Sequence, residues 1–191
     1  MQNEIILIGP ICSGKSSVGE IISAKLGWPQ YSMDDIRFRY YKEIGYSQED
    51  QNRIRSKEGY RAMYQYWKPF EAHAVKRFLE EHKGGVHDFG AGHSVYEDDL
   101  LFGQVKHTLE PYRNVVLLLP SSDQERTIDI LENRLKLVTD NQEVFDLNKH
   151  FVEHPSNYEL AKHIVYTEGN TAEETAAEVI RICQVGLNGI K

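Results

Sequence analysis

A short stretch near the start of the chain has the composition of a phosphate-binding loop. Residues 9–16 read Gly-Pro-Ile-Cys-Ser-Gly-Lys-Ser and satisfy G-x-x-x-x-G-K-[ST] at every specified position. Glycine lets backbone N–H groups converge on phosphate oxygens, and the Lys15 ammonium can reach the outer phosphates. The Ser16 hydroxyl is a suitable Mg²⁺ ligand. These residues predict a nucleoside triphosphate ligand bound together with Mg²⁺.

The flanking residues place this loop between a strand and a helix. An apolar run, Glu4–Ile8, precedes it, and a helical pattern over Ser16–Leu26 follows and ends at Gly27. The positive end of that helix would face the same anion. A plain strand-to-helix turn is the alternative interpretation. We expect the nucleotide to contact Gly9, Ile11, Cys12, Ser13, Gly14, Lys15, Ser16 and Ser17.

Strand patterns alternate with helical patterns along the whole chain, which predicts a parallel sheet covered on both faces. The predicted fold is a three-layer α/β fold of the P-loop NTPase type, with about five strands and a small lid. A single domain, 1–191, would hold a substrate-binding helical region at 34–82 and the lid at 134–156. The helical region is expected to break near Gly45 and at Pro69, and residues 139–156 are weakly patterned. The predicted strands are Glu4–Ile8, Gln30–Met33, Val86–Phe89, Asn114–Leu119 and Lys162–Tyr166.

Composition argues against several classes of function. The net charge is −7, with 29 acidic and 22 basic residues, whereas nucleic-acid-binding proteins usually carry a basic surplus. No apolar run approaches the roughly 20 residues of a membrane span, and no signal peptide is recognisable, so we expect a cytoplasmic protein without a membrane partner. Cys12 and Cys183 form no metal or redox pattern, and the histidines fit no zinc template.

Other motifs narrow the class of nucleotide-binding protein. GTPases usually read guanine with N-K-x-D, but Asn148-Lys149 is not followed by the required aspartate. Large motor ATPases need a strand that ends in an acidic pair, and Asp88 is the only acid in the carboxyl half of a predicted strand. The compact kinases, whose substrate sites lie at the carboxyl ends of the strands, remain.

The chain resembles the shikimate kinase family and, more broadly, the nucleoside-monophosphate-kinase-like small-molecule kinases. The resemblance covers nearly the whole chain and rests on the order of its motifs. These are GPICSGKSS, Ser32-Met33-Asp34-Asp35, Glu58-Gly59-Tyr60-Arg61, Phe89-Gly90-Ala91-Gly92, NVVLLL and YELAKHIV.

The resemblance implies roles for individual acceptor-side residues. Asp34 matches the second acid of a D-x-D motif, although Ser32 replaces the first. Tyr60-Arg61 matches an F-R pair on the substrate helix, and Gly90-Ala91-Gly92 matches a glycine turn beside the substrate. Where the family has a late arginine that holds the substrate carboxylate, this chain has His154, which leaves the acceptor open.

The chemistry of phosphoryl transfer assigns the remaining candidates. Asp34 would orient or deprotonate the acceptor hydroxyl and contact Mg²⁺, with a helix cap as its alternative role. Arg134 would neutralise the transferring group from the lid. Arg126 would lie on the adenine side or form a surface ion pair. Arg61 would bind an anionic acceptor, and His93 would bind substrate or be a structural histidine.

Together these features predict an ATP- and Mg²⁺-dependent kinase that phosphorylates a hydroxyl group of a small molecule. Shikimate is the first named acceptor. A nucleoside or nucleotide kinase of the same fold is one alternative, and a nucleotide-binding regulatory protein without phosphotransfer is another. The oligomeric state is not indicated.

Overall fold

The computed structural model describes residues 3–185, so the ends of the predicted 1–191 domain lie outside the described residues. Its sheet has the strand order β2-β3-β1-β4-β5, and every neighbouring pair is parallel. This confirms the predicted parallel α/β architecture. The strands are β1 (Glu4–Ile8), β2 (Gln30–Ser32), β3 (Gly85–Asp88), β4 (Val115–Leu119) and β5 (His163–Tyr166).

Strands β1 and β4 carry uninterrupted apolar runs, residues 5–8 and Val115–Leu119, because both of their faces are covered. Ile6 and Ile8 of β1 pack into one core, while Ile5 and Leu7 pack into a second core on the opposite face. Side chains alternate between the two faces of a strand, so a strand buried on both sides needs an uninterrupted apolar run. The run VVLLL of β4 is divided between the two cores in the same way.

Helices cover both faces of the sheet. They are α1 (Lys15–Leu26), α2 (Met33–Glu43), α3 (Gln48–Glu58), α4 (Tyr60–Glu81), a 3₁₀ helix (Ala91–Ser94), α5 (Asp99–Leu109), α6 (Gln124–Leu135), α7 (Gln142–Glu153), α8 (Ser156–Leu160) and α9 (Ala172–Ile182).

The predicted break at Pro69 is wrong, whereas the break near Gly45 is confirmed. Pro69 lies inside α4, and the chain instead breaks at Gly59, whose φ of 86° favours glycine. Proline costs a helix one hydrogen bond. In α4 that loss is outweighed by the apolar face of the helix, which includes Phe70, Val75 and Phe78 in the main core.

The polar segment that showed little pattern folds as a helix. Residues 142–153 form α7, which the Asn141 side chain caps by accepting from the backbone N–H of Glu143 at 3.0 Å. Phe151 of α7 packs with Tyr64 and Val95 in a small cluster that Ile11 and Leu147 also contact. The helix α7, within the predicted lid segment, therefore packs on the glycine loop and on α4.

The strand order brings the predicted site residues to one edge of the sheet. Asp88 ends β3, which lies between β1 and β2, and its register partners are Leu7 and Ser32. The glycine loop and α2 therefore start on either side of Asp88, as expected for a site at the carboxyl ends of parallel strands. None of the helices within residues 3–185 has the length and apolar character needed to span a bilayer.

Candidate active site

The glycine loop, residues 9–17, has the backbone geometry of an anion cradle. Gly9 and Gly14 have φ values of 139° and 96°, and Cys12 between them has a φ of 61°. A Cβ atom on Gly9 would lie 2.7 Å from the carbonyl oxygen of Leu118. Glycine is therefore required at position 9 both for its conformation and for its close approach to β4.

Two polar groups inside the cradle have the character of phosphate-binding groups. Lys15 is buried, and its Nζ donates to the carbonyl oxygens of Gly9 at 3.0 Å and Pro10 at 2.9 Å. Burial lowers the pKa of the Lys15 ammonium, and the carboxylates of Asp88 and Asp34 oppose this effect. The buried Ser13 Oγ has no hydrogen-bond partner among residues 3–185. A bound phosphate would satisfy both side chains, so these residues fit the phosphate groups of ATP.

Asp88 is a site residue that the sequence analysis did not select. Its Oδ2 accepts a 2.6 Å hydrogen bond from the Ser16 hydroxyl. Burial raises the pKa of the Asp88 carboxyl, while Ser16 and Lys15 act in the opposite direction. Ser16 and Asp88 offer oxygen donors only, which is the donor chemistry that Mg²⁺ prefers. The useful signal in the sequence was an acid at the end of the strand that pairs with β1.

Asp34 lies in the first turn of α2 and is not its cap, because Ser32 occupies the N-cap position, without a side-chain capping hydrogen bond among residues 3–185. The Asp34 side chain is 56% exposed, and its Oδ1 accepts from Arg37 at 2.8 Å. A Cβ atom on Gly90 would collide with Asp34 Oδ1. The structure thus brings Asp34 against the Gly90-Ala91-Gly92 turn, and Asp35 beside it is exposed.

A buried ion pair supports that turn. Lys68 and Glu71 of α4 form a salt bridge with side chains only 3% and 4% exposed. Lys68 Nζ also donates to the carbonyl oxygens of Gly92 at 2.9 Å and Val95 at 3.0 Å. A Cβ atom on Gly92 would collide with Glu71. The pair thus fixes the 3₁₀ helix to α4, a role that the sequence did not suggest.

His93 lies in the wall behind the turn, where it is completely buried. Its Nε2 is 3.1 Å from the Tyr41 hydroxyl, and its Nδ1 is 3.3 Å from the carbonyl oxygen of Gly90. Burial lowers the pKa of His93 to about 3, so the ring is neutral. Both nitrogens have protein partners in this structure, which is the arrangement of a structural histidine.

A pocket of about 410 Å³ lies between α4 and α7. Tyr60, Arg61 and Tyr64 line one side, and Leu147 and His150 of α7 line the other. Two acidic residues of the pocket interact with basic side chains of the protein. Glu143 pairs with Arg55, and Glu97 accepts from His150 at 2.6 Å. Burial alone would raise the pKa of Glu97, but hydrogen bonds from His150 and Tyr64 outweigh it and lower the pKa to about 2.

Arg61 is exposed and, among residues 3–185, donates no hydrogen bond and forms no salt bridge. It is therefore available to an anionic group inside the pocket.

The segment predicted to be a lid, residues 134–156, contacts the glycine loop through two residues. Arg134 Nη1 donates to the carbonyl oxygen of Cys12 at 3.1 Å. Asn148 both accepts from the Ile11 N–H at 2.7 Å and donates to its carbonyl oxygen at 3.2 Å. Asn148 follows Leu147, which lines the pocket, so α7 contacts the loop and the pocket at adjacent residues.

Two predicted site residues lie outside this arrangement. Arg126 Nε donates to Glu168 at 2.9 Å in an exposed ion pair, which is the alternative stated for it. Its contact with adenine remains a prediction. His154 follows the last residue of α7, and its ring lies 5.1 Å from that of His150. It therefore lies next to the pocket residue His150.

Comparisons with known proteins identify the family and the fold of this chain. The family model described as shikimate kinase matches residues 11–184. A search of curated proteins gave no match. Shikimate kinase from Acinetobacter baumannii, solved in complex with shikimate, is similar in structure with a TM-score of 0.65 at 18% identity, covering 100% of this chain and 97% of that one.

Two further solved structures share the fold. Shikimate kinase from Aquifex aeolicus gives a TM-score of 0.55 at 23% identity, covering 95% of this chain and 96% of that one. A gluconokinase from Sinorhizobium meliloti gives 0.54 at 16% identity, covering 96% and 94%. With the glycine loop and pocket described above, the family match leads to one conclusion: this chain belongs to the shikimate kinase family and is an ATP-dependent small-molecule kinase.

Proposed function

We propose that this kinase transfers the γ-phosphoryl group of Mg²⁺-ATP to a hydroxyl of a small acidic metabolite bound between α4, the Gly90–Gly92 turn and α7. The observation that carries the acceptor class is Arg61, an exposed cation in the pocket with no partner among residues 3–185. A guanidinium binds carboxylate or phosphate groups through paired hydrogen bonds. The pocket volume suits a metabolite-sized ligand.

On the nucleotide side, the glycine loop would bind the phosphates. Lys15 Nζ would exchange the carbonyl oxygens of Gly9 and Pro10 for phosphate oxygens, and Ser13 would gain a partner. Ser16 and Asp88 would hold Mg²⁺, directly or through water, with Asp34 as a further candidate. When bound, the ion supplies charge neutralisation at the phosphates.

On the acceptor side, Asp34 would position the attacking hydroxyl and accept its proton. The new bond joins the acceptor oxygen to the γ-phosphorus, and the bond to the β–γ bridging oxygen breaks to release ADP. Gly90 and Ala91 would approach the acceptor with their backbone, and Arg61 and His154 would contact its acidic group. Arg134, already on the loop through Cys12, would neutralise charge on the transferring group.

The decisive experiment measures ADP release from Mg²⁺-ATP with a panel of acceptors. The panel contains shikimate, gluconate, nucleosides and nucleoside monophosphates, so it separates the sugar-acid acceptors from the nucleotide alternative. Lys15→Ala is the inactive variant, and Lys25→Ala, an exposed lysine of the same helix, is its matched control. We expect one acidic acceptor to stimulate ADP release in the wild type and in Lys25→Ala only. Stimulation by uncharged nucleosides alone would contradict the proposal.

A nucleotide-binding regulatory protein is the second candidate, and the same assay addresses it. Tight Mg²⁺-ATP binding with no response to any acceptor would favour it. The acceptor-side residues count against it, because a protein that only binds nucleotide has no need of Arg61 in a pocket or of Asp34 against a glycine turn.

A further inference from the structure

A cluster of two histidines and one carboxylate lies at the edge of the pocket, and of its three residues only His154 takes part in the phosphotransfer proposed above, through a contact with the acceptor. His150 and His154 are four residues apart at the end of α7, so they share one face of the helix. Glu97 reaches them from the segment after the 3₁₀ helix. One potential ligand atom from each residue lies within 4.8 Å of the other two.

The three side chains lie close enough together to share an ion. His150 Nε2 is 2.6 Å from Glu97 Oε1, and the centroids of the His150 and His154 rings are 5.1 Å apart with the ring planes at 63°. Ligands bound tetrahedrally to Zn²⁺ lie about 2.0–2.2 Å from the ion, which separates neighbouring donor atoms by about 3.3 Å. The 2.6 Å between His150 Nε2 and Glu97 Oε1 is below that value, and the donor atoms of the cluster all lie within 4.8 Å of one another, so side-chain rotations would bring all three donors to one ion.

The surrounding residues hold the carboxylate of the cluster in position. The Tyr64 hydroxyl donates to Glu97 Oε1 at 2.9 Å, and Gln65 Nε2 donates to Glu97 Oε2 at 3.2 Å. Outer partners of this kind orient metal ligands. The backbone N–H of Ser156 donates to His154 Nδ1 at 3.3 Å, so the neutral ring carries its proton on Nε2, and this long hydrogen bond would be given up when the ring binds an ion.

The donor chemistry selects the class of ion. Two imidazole nitrogens and one carboxylate oxygen suit Zn²⁺ and its neighbours in the first transition row, whereas Mg²⁺ prefers oxygen donors. Three protein ligands leave a position open for water or a ligand. Glu97 and His150 also line the pocket, so that position lies beside the acceptor site.

We propose that Glu97, His150 and His154 form a binding site for a divalent transition-metal ion, with Zn²⁺ as the best-fitting probe, that joins the lid helix α7 to the body of the protein. The site is separate from the Mg²⁺ position at Ser16 and Asp88, and the proposal stands whether or not the acceptor assignment is correct. Because the ion would bridge two segments, its binding should also stabilise the docked lid.

The test is a titration of the metal-free full-length protein with Zn²⁺, followed by calorimetry, and with Co²⁺, followed by visible absorption. The titration contains excess Mg²⁺ and no nucleotide. Mg²⁺ then competes with Zn²⁺ for the oxygen atoms of Ser16 and Asp88. We expect one equivalent of Zn²⁺ per chain, visible bands from nitrogen-ligated Co²⁺, and a higher thermal midpoint with Zn²⁺.

Replacing any one of the three ligands should weaken Zn²⁺ binding at least tenfold. The variants are Glu97→Gln, His150→Gln and His154→Gln. All three side chains are partly exposed, so folding of the variants is checked by circular dichroism.

Two further variants test whether Zn²⁺ binds to this cluster or elsewhere on the chain. His107→Gln is the matched control, because His107 Nδ1 lies 3.4 Å from Glu110 in an exposed pair of α5 that has no third ligand among residues 3–185. It should bind Zn²⁺ as the wild type does. The proposal is overturned if the wild type shows no saturable binding, if the three site variants bind as tightly as His107→Gln, or if only Asp88→Asn abolishes binding.

Discussion

The glycine loop is one continuous segment, residues 9–17, whereas the acceptor pocket takes its walls from α4, the segment after the 3₁₀ helix, and α7. The loop uses backbone geometry and a few small side chains. The acceptor side instead depends on packing, because a buried ion pair in α4 holds the turn at Gly90–Gly92. We therefore expect changes in the loop to affect chemistry with every acceptor, and changes around the pocket to affect stability or acceptor choice.

The largest effect should come from breaking the buried pair on the acceptor side. Lys68→Met leaves the Glu71 carboxylate buried without its partner, which costs about 3–5 kcal/mol of unfolding free energy. Urea denaturation measures this directly. The double variant Lys68→Met/Glu71→Leu removes both charges and should recover most of the loss. A single variant as stable as the wild type would mean that the pair does not support the turn.

On the phosphate side, Lys15→Met should lower kcat by about 100- to 1000-fold with any acceptor, because Lys15 stabilises charge on the transferring phosphates. Stability should fall less than in Lys68→Met, since Lys15 Nζ donates to backbone carbonyls and interacts with the Asp88 and Asp34 carboxylates without a salt bridge among residues 3–185. Steady-state kinetics and thermal unfolding are measured together, with Lys25→Met as control. A stability loss as large as that of Lys68→Met would erase the contrast between the two sides.

The next prediction concerns the sheet, which lies outside both the glycine loop and the acceptor pocket. His87 of β3 is completely buried, and neither ring nitrogen has a partner among residues 3–185. Burial lowers the pKa of His87 to about 4 from 6.5. Between these values the unfolded chain binds the proton and the folded chain does not, so stability falls as the pH drops from 6.5 towards 4.

Replacing this ring by an apolar side chain should remove its share of the acid sensitivity. His87→Leu should reduce the stability lost between about pH 7 and pH 5 by about 2 kcal/mol. His93, with its pKa near 3, has the same sign and remains in the variant. Urea denaturation across this pH range provides the measurement. An unchanged pH dependence would show that His87 is protonated in the folded protein.

The smallest effect should be the most specific one. Arg61→Gln removes the cation of the pocket and should raise KM for an acidic acceptor about tenfold, the value of one charge-assisted hydrogen bond. The KM for ATP should not change. Arg53→Gln, an exposed arginine of α3 that pairs with Asp50, is the control. Equal KM values in the two variants would remove Arg61 from the acceptor site.

The difference between the two sides also explains what the sequence could predict. The glycine loop is local, so its motif, its flanking strand and its helix are all visible in adjacent residues. Lys68 and Glu71 look like an ordinary surface pair three residues apart on a helix, and their burial depends on where the 3₁₀ helix packs. In the sequence, Asn148 could be assessed only as part of an N-K-x-D motif, which is incomplete. Its contact with the Ile11 backbone joins residues 137 positions apart, so no local pattern predicts it.

Phosphorus NMR of the reaction mixture tests the central claim most directly. With Mg²⁺-ATP and the acceptor that stimulates ADP release, the account predicts that the γ-phosphate signal is replaced by one new phosphate monoester, formed in step with ADP and absent with Lys15→Met. If ATP is stable with every acceptor, or if inorganic phosphate is the only new signal, this chain does not transfer phosphate to those small-molecule hydroxyls and the account is contradicted.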